Sequence, residues 1–179
     1  MRIVGGKFKG KRINAPIFNE LRPTTDFAKE ALFNILSHKI DFENISMLDL
    51  FSGSGSISFE AASRGCTQIS CVEQHPKKCA FILKTLKELE VEHPLVFTKD
   101  VFKFLSNCTQ SFDFIFADPP YELKYLERLP DLIIPTILNN DGIFVLEHGK
   151  KNDFSKHPNF SELRNYGNVC FSFFVKHTE

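Results

Sequence analysis

Hydrophobic residues recur along the chain in two patterns, which predict two kinds of element. Short apolar runs predict strands at SMLDLF (46–51), QISCVE (68–73), PLVF (94–97), FDFIFA (112–117) and GIFVLEH (142–148). Segments with apolar residues at helical spacing lie between them, at SGSISFEAASR (54–64), PKKCAFILKTLKEL (76–89), VFKFLS (101–106) and LKYLERLPDLIIPTIL (123–138). Because parallel neighbouring strands need crossover connections, this alternation predicts an α/β fold with a doubly wound, mostly parallel sheet.

The two ends of the chain follow other patterns. RIVGGKFKGKRI (2–13) alternates apolar and basic residues around glycines, which predicts a small β-hairpin. LRPTTDFAKEALFNIL (21–36) predicts an amphipathic helix that begins near Pro23 and the two threonines after it, with Phe27 on its apolar face. FSELRNYGNVCFSFFVK (160–176) contains two strand-like runs joined around Gly167, which predicts a C-terminal antiparallel hairpin.

Length and composition predict one main globular domain. The chain has 179 residues, of which 42% are hydrophobic and 25% charged, enough for one ordinary core. All apolar runs fall short of the roughly 18 to 20 residues that span a bilayer. Glycine and lysine interrupt the N-terminal segment, so we expect no signal peptide and predict a cytoplasmic protein. The five cysteines form no CxxC pair, so we expect reduced, structural thiols and no metal site.

The formal net charge is zero, but the basic residues are unevenly placed. The first twelve residues contain five of them and no acid, namely Arg2, Lys7, Lys9, Lys11 and Arg12. A compact basic segment on a mildly acidic body suits a polyanion, since neutralised phosphates supply much of the affinity for nucleic acid. The alternative is a solvated basic hairpin without a partner.

A glycine loop follows the first predicted strand in LDLFSGSGS (48–56). Gly53 and Gly55 permit a tight turn and a close approach of a ligand to the backbone. A dinucleotide-binding loop would have a third glycine where this chain has Ser58, so the signal for NAD is incomplete. Glu73 ends the next strand, 18 residues beyond Gly55, near the spacing at which an acid binds ribose hydroxyls. These residues predict a ligand that contains adenosine.

Two further acids refine the prediction of the ligand. Asp49 lies inside the first strand, where it would repel a pyrophosphate but suit an ammonium group. S-adenosylmethionine carries a ribose, an amino group and a cationic sulfonium, and we therefore predict it as the cofactor. Asp100 in TKDVF ends another strand at the same edge. It either caps the following helix or accepts a hydrogen bond from the adenine amine.

A carboxylate, two prolines and a tyrosine follow the buried strand FDFIFA, as Asp118, Pro119, Pro120 and Tyr121. They lie at the carboxyl edge of the predicted sheet, where ligands bind in open α/β folds. The prolines remove two backbone donors and stiffen the turn, which leaves nearby carbonyls free. An exocyclic base amine fits here, because Asp118 and the Pro119 carbonyl can each accept one of its hydrogens while Tyr121 stacks on the base. The alternative is an ordinary proline-rich turn with a surface tyrosine.

Taken together, DLFSGSG, EAASRG and DPPY resemble the class I S-adenosylmethionine-dependent methyltransferases that act on base amines. RIVGGKFKGKRI and LRPTTDFAKEALFNIL are similar to the narrower RsmD type, the bacterial methyltransferases of guanine N2 in small-subunit ribosomal RNA. The resemblance covers nearly the whole chain and is weakest from 152 to 176. It implies a seven-stranded, Rossmann-like methyltransferase sheet that ends in the antiparallel hairpin.

The resemblance also implies roles for individual residues. The implied cofactor positions are Asp49, Gly53, Gly55, Glu73 and Asp100, with a backbone contact from Val101 near the adenine. The implied catalytic motif consists of Asp118, the carbonyl of Pro119 and Tyr121. A further block, Arg22, Pro23, Thr24 and Thr25, is implied to lie near the cofactor and the entering base. The family often has arginines where this chain has Phe27 and Lys29, which leaves the RNA contact of this helix open.

These observations combine into one prediction with alternatives. We expect a basic hairpin and helix extension at residues 1–40 that binds RNA, and a methyltransferase domain at residues 41–179. The residues expected to contact RNA are Arg2, Lys7, Lys9, Lys11, Arg12, Arg22 and Thr24. The expected reaction is methylation, by a monomer, of a guanine N2 amine in the RNA of an assembled or partly assembled small subunit. The alternatives are an adenine-N6 methyltransferase on DNA or RNA, a non-catalytic RNA-binding or ribosome-assembly factor, and, least favoured, an NAD-dependent dehydrogenase.

Overall fold

The fold is built on one seven-stranded sheet in the order β3-β2-β1-β4-β5-β7-β6. The computed structural model describes residues 1–16, 25–120 and 122–177. The strands are β1 (Ser46–Leu50), β2 (Gln68–Glu73), β3 (Leu95–Thr98), β4 (Phe112–Ala117), β5 (Leu138–His148), β6 (Phe160–Tyr166) and β7 (Val169–Val175). Strands β1 to β5 are parallel to one another, whereas β7 is antiparallel to both β5 and β6. The predicted α/β class and the C-terminal antiparallel hairpin are confirmed.

Helices cover both faces of the sheet, which explains why the central strands β1, β2 and β4 are buried on both sides. The α-helices are α1 (Asp26–Leu36), α2 (Ser56–Ser63), α3 (Pro76–Glu88), α4 (Val101–Leu105) and α5 (Leu129–Ile137), with 3₁₀ turns at Phe42–Asn44 and Leu126–Arg128. Residues of α1, α2 and α3 pack in one buried cluster with Met47 and Phe116 of the sheet. Residues of α4 and α5 pack in a second cluster with Leu48 and Ile115. The side chains of successive residues in β1 and β4 therefore pack alternately into the two clusters, on opposite faces of the sheet.

Several element boundaries differ from the predicted ones, and each difference has a local cause. The helix predicted at 123–138 is divided, because Pro130 lies in the first turn of α5 and the preceding residues form the 3₁₀ turn. Strand β5 starts four residues earlier than predicted and contains Asp141 at φ +58°, beside a shift in its register with β4. The predicted start of the first helix is by contrast confirmed, since α1 begins at Asp26 and the Thr25 side chain caps it by accepting a hydrogen bond from the Ala28 amide.

The N-terminal hairpin packs on the sheet domain through α2. An antiparallel bridge joins Arg2 and Arg12, so the predicted hairpin is confirmed. The amide of Lys7 donates to the carbonyl of Ser63, the last residue of α2, at 2.6 Å. Gly6, at φ +72°, passes so close that a side-chain carbon there would lie 1.9 Å from the Ser63 carbonyl oxygen. The division into units at residue 40 stays a prediction. Among the described residues, none of the helices is both long and apolar enough to cross a bilayer.

Candidate functional site

A cleft of about 540 Å³ opens at the carboxyl edge of the sheet. It lies at the carboxyl ends of the adjacent strands β1 and β4, where the order of the sheet reverses: the chain continues from β1 to β2 on one side and from β4 to β5 on the other. Such a switch point is where open α/β sheets bind ligands. The cleft is lined by residues from the ends of all five parallel strands, among them Asp49, Gly53, Glu73, Asp100, Asp118 and Glu147.

The glycine loop forms the floor of this cleft. Phe51 follows β1 at φ +57°, a conformation rare for a bulky residue and one that turns the chain sharply out of the strand. Gly53 and Gly55 also have positive φ values, as the sequence predicts for a tight loop. Gly55 is the N-cap of α2, and a side-chain carbon there would lie 2.7 Å from the ring of Phe59. The loop thus needs glycine at position 55 for both conformation and space.

Glu73, at the end of β2, faces this loop. One carboxylate oxygen accepts a hydrogen bond from the Gly53 amide at 3.0 Å, and the other accepts from the His75 amide at 2.9 Å. Each carboxylate oxygen has a second lone pair, so the side chain can still accept from two neighbouring hydroxyls. Its position at the strand end matches the one that binds ribose in related sheets.

Asp49 is almost fully buried and lies at the inner wall of the cleft. The hydroxyl of Ser58 donates to its carboxylate at 2.6 Å. Burial nevertheless raises the pKa of Asp49 to about 7, and the nearby Glu73 carboxylate adds to the effect, while the bonds from Ser58 oppose it. Ser58 occupies the position of the missing third glycine, and the structure gives it a partner that the sequence analysis did not identify.

Asp118 follows β4 directly, and Pro119 is buried behind it. Burial raises the pKa of Asp118 well above its ordinary value, and the carboxylates of Glu147 and Asp49 raise it further. Asp49, Asp118 and Glu147 line one cleft. A cation bound there would be stabilised by their charges and would favour their ionised forms. In the part of the chain that the structure describes, no group of three acids, histidines or cysteines has the arrangement needed to hold a metal ion.

The outer end of the cleft is formed by the start of α4. Asp100 is the N-cap of this helix and accepts a hydrogen bond from the Lys103 amide at 3.0 Å, so the capping role is confirmed. Asp100 is exposed and lines the cleft, and its role towards adenine stays a prediction. Val101 is buried next to it, and Phe102 also lines the cleft.

The basic residues of the hairpin are all exposed, but they differ in their surroundings. Arg2 lies 3.4 Å from the carboxylate of Asp26, and Lys7 forms an ion pair with Glu90. Lys7 and Lys11 also approach the ring of Phe8, at 5.2 and 5.3 Å from its centroid. The expected phosphate contacts of Arg2, Lys7, Lys9, Lys11 and Arg12 stay predictions.

Lys29 has a structural position that the sequence analysis did not foresee. It is 1% exposed, so it cannot contact a phosphate at the surface. Its ammonium group donates to the carbonyl of Arg2 at 2.7 Å and to the hydroxyl of Ser56 at 3.1 Å. Burial lowers the pKa of Lys29, whereas the carboxylates of Glu60 and Asp26 oppose this shift. Lys29 therefore connects the N-terminal hairpin with the start of α2.

Other predicted positions lie elsewhere or outside the described residues. Phe27, expected on the apolar face of α1, is 71% exposed and packs edge to face against Tyr166. Arg22, Pro23, Thr24 and Tyr121 fall outside the described residues. Glu147 was missed by the sequence analysis, although it carries the same signal as Asp118, an acid at the carboxyl end of an apolar strand.

Comparison of the sequence with known proteins gives consistent matches. The family model described as conserved hypothetical protein 95 matches residues 1–175. A protein of Buchnera aphidicola (subspecies Baizongia pistaciae) named ribosomal RNA small subunit methyltransferase D is 34% identical over 163 residues, which cover 89% of this chain and 82% of that protein. A protein of the same name from Haemophilus influenzae is 33% identical over 139 residues, covering 74% of this chain and 70% of that protein.

Solved structures agree with these sequence matches. A protein of Escherichia coli that is named as a candidate methyltransferase superposes with a TM-score of 0.86 at 26% identity, over 100% of this chain and 99% of the other. An RNA methyltransferase of Salinibacter ruber, solved in complex with S-adenosyl-L-homocysteine, superposes with a TM-score of 0.65 at 17% identity, over 88% of this chain and 95% of the other. At that level of identity the second likeness concerns the fold.

Proposed function

This chain belongs to the conserved hypothetical protein 95 family, and from that premise we propose that it transfers a methyl group from S-adenosylmethionine to the N2 amine of a guanine in small-subunit ribosomal RNA. The observation that carries the proposal is the meeting of Asp118 with the glycine loop in one cleft. The matched relatives named as small-subunit ribosomal RNA methyltransferases support the class of substrate.

The cofactor fits the chemistry of one half of the cleft. Glu73 accepts from the ribose hydroxyls, and Asp49 accepts from the ammonium group of the amino-acid part. Asp100 accepts from the adenine amine next to the backbone of Val101. When bound, S-adenosylmethionine supplies a methyl group that is activated by its positive sulfur. Its charge also offsets the crowded carboxylates and holds Asp49 and Asp118 in their ionised forms.

Asp118 and Pro119 act on the target amine. The nitrogen lone pair of a base amine is delocalised into the ring, so the amine is a weak nucleophile while it stays planar. Asp118 and the Pro119 carbonyl each accept one of its hydrogens, which favours a pyramidal nitrogen aimed at the methyl group. As the N–C bond forms, the C–S bond breaks and sulfur leaves as a neutral thioether. One amine proton then passes to the Asp118 carboxylate. Tyr121 is proposed to stack on the base and fix its plane.

The basic hairpin supplies affinity for RNA in this proposal. Lys9, Lys11 and Arg12 are exposed and can neutralise phosphates, with Arg2 and Lys7 contributing after they exchange their carboxylate partners. The hairpin is fixed to α2 by the hydrogen bond from the Lys7 amide to the Ser63 carbonyl, and α2 starts at the cleft. Phosphate contacts can therefore hold a target nucleotide at a constant position relative to Asp118.

The experiment that tests the proposal is incubation of unmodified small ribosomal subunits with the protein and methyl-labelled S-adenosylmethionine, followed by mass spectrometry of the nucleosides. Label in N2-methylguanosine is expected. Label in N6-methyladenosine would keep the chemistry but overturn the choice of base. The absence of label from both particles and naked ribosomal RNA would contradict the proposed function.

One variant separates the catalytic role of Asp118 from cofactor binding. Asp118→Ala is expected to lower methyl transfer by about two orders of magnitude or more while the protein still binds the cofactor, because the lost group acts on the amine. Calorimetric titration with S-adenosylhomocysteine checks the second part. Turnover at the wild-type rate would remove Asp118 from the mechanism.

A further inference from the structure

Glu147 lies beside Asp118 at the same edge of the sheet. Ala117 of β4 is paired with Leu146 of β5, so the next residues of the two strands, Asp118 and Glu147, are neighbours in register. Adjacent strands are about 4.8 Å apart, and paired positions point to the same face. Glu147 is only 4% exposed, yet it lines the cleft, and its carboxylate raises the pKa of Asp118. Its side chain is therefore within the site and close to the proposed catalytic acid.

Glu147 lies on the side of Asp118 that faces away from the proposed cofactor. The strand order places β1, β2 and β3, with Asp49, Glu73 and Asp100 at their ends, on one side of β4. Strand β5 lies on the other side. A target amine held at Asp118 thus has the cofactor on one flank and Glu147 on the opposite flank. The base, which must extend away from the cofactor, meets Glu147 next.

The two candidate bases differ at the ring atom beside the amine. In guanine the carbon that bears N2 is bonded to N1, which carries a hydrogen. In adenine the carbon that bears N6 is bonded to N1, which has only a lone pair. An ionised carboxylate accepts a hydrogen bond from guanine N1–H but faces the adenine N1 lone pair without a donor.

We propose that Glu147 accepts a hydrogen bond from N1–H of the target guanine and thereby selects guanine over adenine. This inference rests on the proposed function, because it takes N2 of guanine as the atom held by Asp118 and the Pro119 carbonyl. Asp118 and the Pro119 carbonyl then accept from the two N2 hydrogens of the guanine, and Glu147 accepts from the N1 hydrogen beside them. Hydrogen bonds to a charged acceptor are strong enough for roughly a 10- to 100-fold preference.

The test uses a base that keeps the amine and lacks the N1 hydrogen. The nucleotide labelled by the wild type is located first and is then replaced by 2-aminopurine through splinted ligation of the RNA. 2-Aminopurine has the amine on C2, but its N1 carries only a lone pair. The wild type is expected to methylate guanine roughly 10- to 100-fold faster than 2-aminopurine, in kcat/KM. In Glu147→Gln, whose amide can accept from N1–H or donate to a bare N1, the preference is expected to fall below about 5-fold.

Two results would overturn the inference while the proposed function stands. One is a wild type that makes N2-methylguanosine but methylates 2-aminopurine equally well. The other is a Glu147→Gln variant whose preference equals that of the wild type. A general loss of rate on both bases with an unchanged ratio also counts against the proposal, since it indicates a structural role. If the wild type makes no N2-methylguanosine at all, the proposed function and this inference fail together.

Folding of the variant is checked independently. S-adenosylhomocysteine should raise the melting temperature of Glu147→Gln as it raises that of the wild type, because Glu147 lies outside the cofactor half of the cleft. Should this variant not fold, Glu147→Asp provides the same comparison, with a shortened acceptor that weakens the preference for guanine. The wild-type ratio between the two bases needs no variant and can refute the inference by itself.

Discussion

Replacement of Asp49 by asparagine should stabilise the protein without its ligand and weaken cofactor binding. The carboxyl of Asp49 has a pKa of about 7, against an ordinary value of 3.8. Each unit corresponds to about 1.4 kcal/mol, so burial of the ionised form costs on the order of 4 kcal/mol above pH 7. An asparagine keeps an oxygen acceptor for Ser58, but its buried amide hydrogens cost about 1–3 kcal/mol if they find no partner. The net gain at pH 8 should therefore be about 1–3 kcal/mol.

The sign of the effect reverses with pH. Because the pKa of Asp49 is raised by folding, its contribution to stability is fully present below pH 3.8 and is lost as the pH rises through about 7. At pH 5 the wild-type carboxyl is protonated, so Asp49→Asn should be equal in stability or weaker. Loss of the Asp49 charge also lowers the pKa of Asp118, which adds to the gain at pH 8. Urea unfolding at pH 5, 6, 7 and 8 measures the difference directly.

Cofactor binding provides the second readout. If Asp49 accepts from the ammonium group, Asp49→Asn should weaken binding of S-adenosylhomocysteine by roughly 10- to 100-fold, as expected for a lost hydrogen bond between charged groups. Calorimetric titration at pH 8 gives this value. Ser58→Ala is the matched control, because it removes the donor to Asp49 and leaves the carboxylate in place. A difference in unfolding free energy that is the same at pH 5 and pH 8 would refute the raised pKa, and unchanged affinity would refute the contact with the ammonium group.

Three further predictions follow from single contacts. Lys29→Met should lower the unfolding free energy by about 2 kcal/mol in urea titrations, since it removes the buried ammonium that connects the N-terminal hairpin with α2, and an unchanged midpoint would contradict that role. Asp113→Asn should lower the free energy of unfolding by about 1 kcal/mol at pH 7. The reason is that Ser46 and Asn139 donate hydrogen bonds to this partly exposed carboxylate, and these bonds lower its pKa although burial acts in the opposite direction. The difference between wild type and variant should shrink as the pH falls below 3.8 and through the lowered pKa of Asp113, and a difference independent of pH would contradict the prediction. Joint replacement of Lys9 and Lys11 by glutamine should weaken RNA binding and reduce the slope of log K against log salt by about 1.5, whereas replacement of two exposed lysines of α3 should not.

Much of the site was predictable because its residues follow strand ends. Asp49, Glu73, Asp100 and Asp118 could be placed together from the sequence, since carboxyl ends of parallel strands share one edge. Glu147 obeys the same rule, but it stands within the strand-like run GIFVLEH, without a proline turn directly after it to mark it as a site residue. The pairing of Ser58 with Asp49, nine residues away, and of Lys7 with Glu90, 83 residues away, carries no local signal.

The sequence by itself determined the secondary structure, the class of fold and the glycine loop. These depend on hydrophobic periodicity and on the backbone freedom of single residues, which act over a few positions. Only the tertiary structure decided that Glu147 lies next to Asp118, that Lys29 is buried instead of facing RNA, and that three carboxylates crowd one cleft. Those facts depend on strand order and on burial, which lowers the effective dielectric and so changes what a carboxylate or an ammonium group does.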